Sequence, residues 1–349
     1  MKTKGLLVFA GSLVAVCMQA QVTTFHPGVT ANGVTYALPR TVLQVDVNAI
    51  RTDYTPGEFA RYAERYLHLQ NVSTQPETRY SVQHLTLKSA GVPDSTKMYT
   101  VKLKDKTVAP LVQMTDDGIL LAINHEDPVA ETVTSSPQPN PTSHKLNSKA
   151  FFTEEILAAT STAKMAELTA AEIYEIRESR NTIMRGQADA MPKDGASLKI
   201  VIDRLNQQEE ALMQLFVGYI DTTYVNRTFT INPEGDIQKQ IVFRFSQKLG
   251  FMDADDLGGA PYYLDVKDQH SVPLPTAKEA AKRKISGIVY NLPGTAKVDL
   301  YDAERSIISQ TLPIAQFGTI DQLALTLFEK KQTTKVTFHP ATGGLIQLR

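Results

Sequence analysis

The sequence predicts an α+β protein, predominantly antiparallel β modules related by a diverged duplication, with a long helical hairpin between them. Three observations carry that prediction. Apolar residues alternate with polar ones toward both ends of the chain, a central block repeats with a helical period, and a nine-residue motif occurs twice. Alternation sends successive side chains to opposite faces of a strand, whereas a 3.6-residue period lines them along one stripe of a helix.

The chain opens with the anatomy of a secretory signal over residues 1–20. Lys2 and Lys4 form a positive n-region, residues 5–16 are an uncharged and mostly apolar run, and Cys17-Met18-Gln19-Ala20 ends on a small side chain. The run is shorter than the roughly 20 residues a membrane-spanning helix needs. Cys17 is the one cysteine, and bulky Val16 before it argues against lipidation. Cleavage after Ala20 is expected to leave a mature chain without a disulfide, a thiolate metal site or a cysteine nucleophile.

Residues 21–126 are expected to form a β-rich domain with one helix. Leu43, Val45, Val47 and Ala49 alternate with Gln44, Asp46 and Asn48, as do Tyr99, Val101 and Leu103 with their polar neighbours. The helix is expected to start at Thr55 as cap, with Pro56 in its first position and Glu58 completing a capping box. Phe59, Tyr62, Ala63, Tyr66 and Leu67 then share one face. Thr115-Asp116-Asp117-Gly118, between two apolar runs, reads as a hairpin turn.

Residues 127–150 are rich in Pro, Ser, Thr and Asn and read as a linker or long loop. Residues 151–222 hold the helical hairpin: one helix from about Ala163 to Arg185, stopped by Gly186, and a second from Asp194 to near Gly218. Residues 223–349 form a second β-rich domain, with Pro233-Glu234-Gly235-Asp236 and Pro340-Ala341-Thr342-Gly343-Gly344 as turns. The repeated motif links the two β regions. Gly33-Val34-Thr35-Tyr36-Ala37-Leu38-Pro39-Arg40-Thr41 returns as Gly287-Ile288-Val289-Tyr290-Asn291-Leu292-Pro293-Gly294-Thr295, with five identities in nine positions.

The composition excludes some function classes. A net charge of −1 gives no electrostatic footprint for nucleic acid, and no second long apolar run predicts a transmembrane segment in the mature chain. Signature motifs for serine hydrolases, zinc proteases, phosphate-binding loops and dinucleotide sites are missing, and the seven histidines are scattered singly. Asp253, Asp255 and Asp256, beside Gly258-Gly259, are the candidate calcium ligands, because hard carboxylate oxygens suit that ion. The loop lacks calcium-loop spacing, and acidic turn residues capping their own backbone explain it equally; no other cofactor is expected. Arg177, Glu178 and Arg180 on the first long helix and Arg244 inside an apolar strand are expected to form a structural ion pair setting helix against sheet. An anion-binding cluster is the alternative. His125-Glu126-Asp127 reads as a solvated strand end, and Glu154-Glu155 and Glu209-Glu210 as solvated helix faces. Lys278, Lys282, Arg283 and Lys284 read as the basic last turn of a short helix.

The chain also resembles an uncharacterised family of exported proteins from Bacteroidetes, domain of unknown function family 4831. The resemblance rests on Tyr36-Ala37-Leu38-Pro39-Arg40-Thr41, on residues 56–67 and 115–124, and on Ile176-Arg177-Glu178-Ser179-Arg180, Phe243-Arg244-Phe245-Ser246 and Gln316-Phe317-Gly318. It implies export to a Gram-negative envelope and brings no activity, ligand or catalytic residue. The expectation is therefore a non-enzymatic binding or assembly component, placed in the periplasm, at the outer membrane or outside the cell. Its expected partner is an envelope protein or a glycan. The competing expectation is a hydrolase of glycans or peptides whose carboxylates converge only in three dimensions.

Overall fold

The computed structural model describes residues 28–30, 33–101, 112–125, 142–143, 145–188, 194–276, 285–328 and 334–349. The signal-like leader, Glu126, Asp127 and the basic run from Lys278 to Lys284 lie outside the described residues. Strand makes up 49 % of the described residues and helix 24 %, so the α+β class with β dominant holds. Among the described residues no helix is long and apolar enough to cross a membrane.

Strands β1 (Gly28–Thr30), β2 (Gly33–Thr55) and β3 (Glu77–Val101) lead, the last two joined through helix α1 (Ala63–Leu67). The short strands β4 (Val112–Met114), β5 (Leu120–Ile123) and β6 (Thr142–Ser143) follow. Helices α2 (Glu154–Ala158), α3 (Thr162–Met184) and α4 (Gly195–Val217) come next. Then β7 (Tyr219–Ile231), β8 (Ile237–Ser246), β9 (Gly250–Met252) and β10 (Ala260–Asp268) run on. The chain finishes with β11 (Ile288–Tyr301), β12 (Ser306–Leu323), β13 (Val336–Phe338) and β14 (Leu345–Leu348).

Two sheets face each other across the main core. The first sets β3 and β7 on either side of β2, and the second has the order β12-β11-β10-β8-β9. The predicted alternation supplies the first wall, because Leu43, Val45, Val47 and Ala49 are all at most 1 % exposed. Phe243, Leu264, Val266, Val298, Leu300 and Ile314 supply the opposite wall. Burial of apolar area between the sheets is the principal stabilising term. The turn at residues 233–236 joins β7 of the first sheet to β8 of the second, so it crosses the sandwich and closes no hairpin. The β regions 21–126 and 223–349 thus interleave: β7 pairs along β2, and β13 pairs with β5.

The third sheet, β14-β13-β5-β4, closes a second core around Tyr36, Leu38, Val289, Tyr290, Val336 and Phe338. The long strands reach it by turning a corner, and the repeated motif is that corner. In the first copy Ala37 pairs with Met98 while Pro39 pairs with Pro93; in the second, Leu292 pairs with Thr319 while Gly294 pairs with Ile314. In each hairpin the partner strand advances five residues while the motif strand advances two. A bulge of that size bends a strand and turns its continuation in a new direction. The fifth motif residue then makes a lone parallel bridge to a Gly-containing turn in both copies, Ala37 to Ile119 and Asn291 to Gly344.

Several polar groups buried at the corner are paired, although Asn291 Oδ1 and Arg40 Nε have no hydrogen-bond partner among the described residues. Thr41 Oγ1 donates to the Ala341 carbonyl at 2.9 Å and accepts from Ala315 N at 3.0 Å. Asn291 Nδ2 donates to the Pro39 and Thr342 carbonyls at 3.0 and 2.7 Å. The Tyr36 hydroxyl donates to the Val289 carbonyl at 3.0 Å and accepts from its N–H, and desolvation raises its phenol well above the ordinary range.

The helices pack at the far end of the first sheet around Phe59, Ile173, Leu212 and Phe216. Ser161 caps α3 and Asp194 caps α4 through bonds to Lys164 N and Ser197 N, and Gly218 ends α4 with φ +77°. The expected capping box at Thr55 is corrected. Thr55 still pairs with Tyr219 inside β2, and the helix begins later, after a 3₁₀ turn over Ala60–Tyr62 with no side-chain cap bond. Within the expected linker, Leu146 N donates to Gln214 Oε1 at 2.8 Å and Ser148 is buried with its Oγ bonded to the Ala211 carbonyl. That end of the segment is therefore docked on α4.

Candidate functional site

Strands β10 and β11 bring identical residues face to face. Tyr263 pairs with Tyr301, Leu264 with Leu300, Asp265 with Asp299, Val266 with Val298 and Lys267 with Lys297. The leucines and valines point into the main core and are at most 1 % exposed. Because side chains alternate along a strand, the other three pairs stand on the outer face. That face therefore carries an aromatic rung, an acidic rung and a basic rung in succession, each about 7 Å from the next.

The tyrosine rings stack with centroids 5.5 Å apart and planes at 28°. Lys239 Nζ lies 5.6 Å from the Tyr263 ring, on the β8 side. On the β12 side the residue facing Tyr301 is the small, exposed Ser306. The Tyr301 hydroxyl bonds Asp265 Oδ1 at 3.1 Å, and the same oxygen accepts from Lys239 N at 2.6 Å. Desolvation, then the bond to Asp265, raises the Tyr301 phenol above its ordinary value. Asp299 accepts from Ser309 Oγ and pairs with Lys297 Nζ at 3.0 Å. Partial burial pushes the Asp299 carboxyl up, and those two partners outweigh it, so it lies below the usual carboxylate range. Like charges set directly opposite destabilise a strand pair, a cost that the bonds to Asp265 and Asp299 offset at the acidic rung.

The sequence-predicted sites resolve differently. Asp253, Asp255 and Asp256 are exposed, and among the described residues no group of three or more His, Cys, Asp or Glu side chains is placed to hold a metal ion. Asp256 Oδ1 accepts from Gly258 N at 2.9 Å, the backbone cap that the alternative reading of this loop expects. Arg244 pins this same loop through the carbonyls of Ala254 and Gly259, at 2.8 and 3.0 Å. It does not meet the helices. The ion pair forms instead within the helical hairpin, where Glu209 on α4 receives Arg177 Nε at 2.6 Å and also Arg180. Residues 177 and 180 share a helical face, whereas Glu178 is rotated away and exposed. Burial raises the Glu209 carboxyl, and the two guanidiniums outweigh it, so it lies below the ordinary value. Glu209 is thus no solvated face, although Glu154, Glu155 and Glu210 are exposed.

Two open clefts flank the helical end. One of about 590 Å³ is lined by Gly57, Glu58, Lys145, Gln214 and Tyr219, among others. The second, of about 460 Å³, includes Tyr54, Glu77, Arg79 and Ile220. Each holds one carboxylate, Glu58 or Glu77, where two-carboxylate hydrolysis needs a facing pair.

The rung residues were not singled out from the sequence, yet a signal for them exists. Tyr-Leu-Asp-Val-Lys at 263–267 is the reverse of Lys-Val-Asp-Leu-Tyr at 297–301. Antiparallel pairing turns such an inverted string into like facing like. Among known proteins, no curated protein and no solved structure matches the chain. A family model described as Domain of unknown function (DUF4831) matches residues 32–346, nearly the whole described fold. The chain belongs to that family.

Proposed function

We propose that this chain is an exported component of the cell envelope that works by binding, without catalysis, through the outer face of β10 and β11. The observation that carries the reading is the banded face itself. Like charges face each other on two rungs of a solvent-facing sheet surface beside a paired aromatic rung, and a local rule broken in an otherwise regular sheet is expected at functional surfaces. Export is supported by Lys2, Lys4 and the apolar run over residues 5–16.

The hydrolase reading has less support. Asp265 and Asp299 face each other, but on an open sheet face, and Asp299 is held below the usual carboxylate range where a general acid needs raising. Two measurements test the proposal. N-terminal sequencing of the native protein after cell fractionation should find the chain beginning near Gln21 in an envelope or extracellular fraction. A start at Met1 in the cytosol removes the compartment. Independently, Lys267→Thr should leave the protein folded and slightly more stable; lower stability would assign the basic rung to folding.

A further inference from the structure

We infer that the tyrosine rung of β10 and β11 is a glycan-binding platform, with Tyr301 as the stacking residue and the aspartate and lysine rungs as hydroxyl partners. The inference rests on the binding reading above and names the ligand class. The two rings stand together on the solvent side of the sheet, 5.5 Å apart. Lys239 closes the flank of Tyr263, while the β12 residue in register with Tyr301 is the small, exposed Ser306. An aromatic face offers a sugar ring an apolar surface with a negative quadrupole, to which the ring's C–H groups are complementary.

The groups beyond the rings select the class. A sugar hydroxyl both donates and accepts, so it is best served by a row of acceptors beside a row of donors. Asp265 and Asp299 form the acceptor row, and Lys267 and Lys297 the donor row one step further on. Ser309 faces Asp299 and Thr311 faces Lys297, extending both rows with hydroxyls onto β12. The two carboxylates of one rung balance the two ammoniums of the next, so with Lys239 at the edge the face carries little net positive charge, which disfavours a polyanion such as nucleic acid. The rows run across the strands at about 7 Å spacing, so consecutive rings of a chain could meet successive rungs.

The test compares wild type, Tyr301→Ala and Tyr301→Phe by electrophoresis in gels containing starch, xylan, mannan or mixed-linkage β-glucan, and by co-sedimentation with purified peptidoglycan. Thermal unfolding of each variant confirms the fold. The wild type should be retarded or pelleted with at least one of these glycans. Tyr301→Ala should weaken that binding by about tenfold, and Tyr301→Phe, which keeps the ring, should retain it. No interaction with any glycan overturns the inference, as does equal loss in the Ala and Phe variants. In a parallel arm, the same proteins are immobilised against envelope proteins stripped of glycan. Capture there that Tyr301→Ala abolishes refutes the glycan assignment and leaves the binding face standing. Failure in both arms removes both.

Discussion

Glu209 collects two guanidiniums, and its neighbours explain why the sequence pointed elsewhere. Leu198, Ile202, Leu205, Glu209, Leu212 and Phe216 recur at alternating steps of four and three along α4, so Glu209 occupies an otherwise apolar seam position. The arginines were legible as a pair on one face; their partner required knowing which face of α4 turns toward them. Glu209→Gln should cost about 1–2 kcal/mol in urea unfolding, because the bonds are charge-assisted and partly screened. Glu178→Gln should stay within about 0.5 kcal/mol. Since the folded-state pKa of Glu209 is lowered from 4.5, its contribution is complete above that value and is lost as pH falls through the folded pKa below it. The stability gap between wild type and Glu209→Gln should therefore be constant near neutrality and close in acid. Thr41 is a harsher position. It is fully buried and serves a carbonyl and an N–H at once, so Thr41→Val should cost about 1–3 kcal/mol.

Among the elements, the long helices were the most readable. The expected span of about Ala163 to Arg185 meets an observed Thr162–Met184, and the second helix, expected to start near Asp194, begins at Gly195 with Asp194 as its cap. Strong periodicity bounded by a cap and a glycine leaves little to tertiary context. The segment after Thr55 misled because its capping signals are genuine local preferences, yet pairing with Tyr219 keeps Thr55 in the strand and delays the helix. Strand pairing is a long-range choice, and β10 against β11 shows it: each strand alone is an ordinary alternating run, and only the reversed comparison exposes the rungs. Lys267→Thr removes one like-charged pair and should raise stability by about 0.2–1 kcal/mol, read as a higher Tm in thermal unfolding. Gly294→Ala should do the opposite. A Cβ there would run into the Phe317 carbonyl across the bulge, and the overpacking should cost about 1–3 kcal/mol.

Across the whole molecule, the repeated motif was legible as a string and its purpose was not. Nothing in nine residues says that Pro39 and Pro293 sit where long strands leave one core for another. The two corners carry bulges of the same size, one motif position apart, and matching bridges, but the two sheets differ in strand order. The flanking strand differs in origin: β7 follows its hairpin in the chain and β10 precedes it. Because β2, β3, β11 and β12 each run through both cores, the cores should not melt apart. Val47→Ala in the main core and Val336→Ala in the second should each lower the midpoint of one shared calorimetric transition.

The bond between Tyr36 and Val289 spans 253 residues. A nascent polypeptide emerging amino end first holds one side of each interior long before the complementary strands exist. Such distant closure makes acquisition of native structure slow. The chain would thereby stay threadable until its final β-strands have left the ribosome, a property the proposed export calls for.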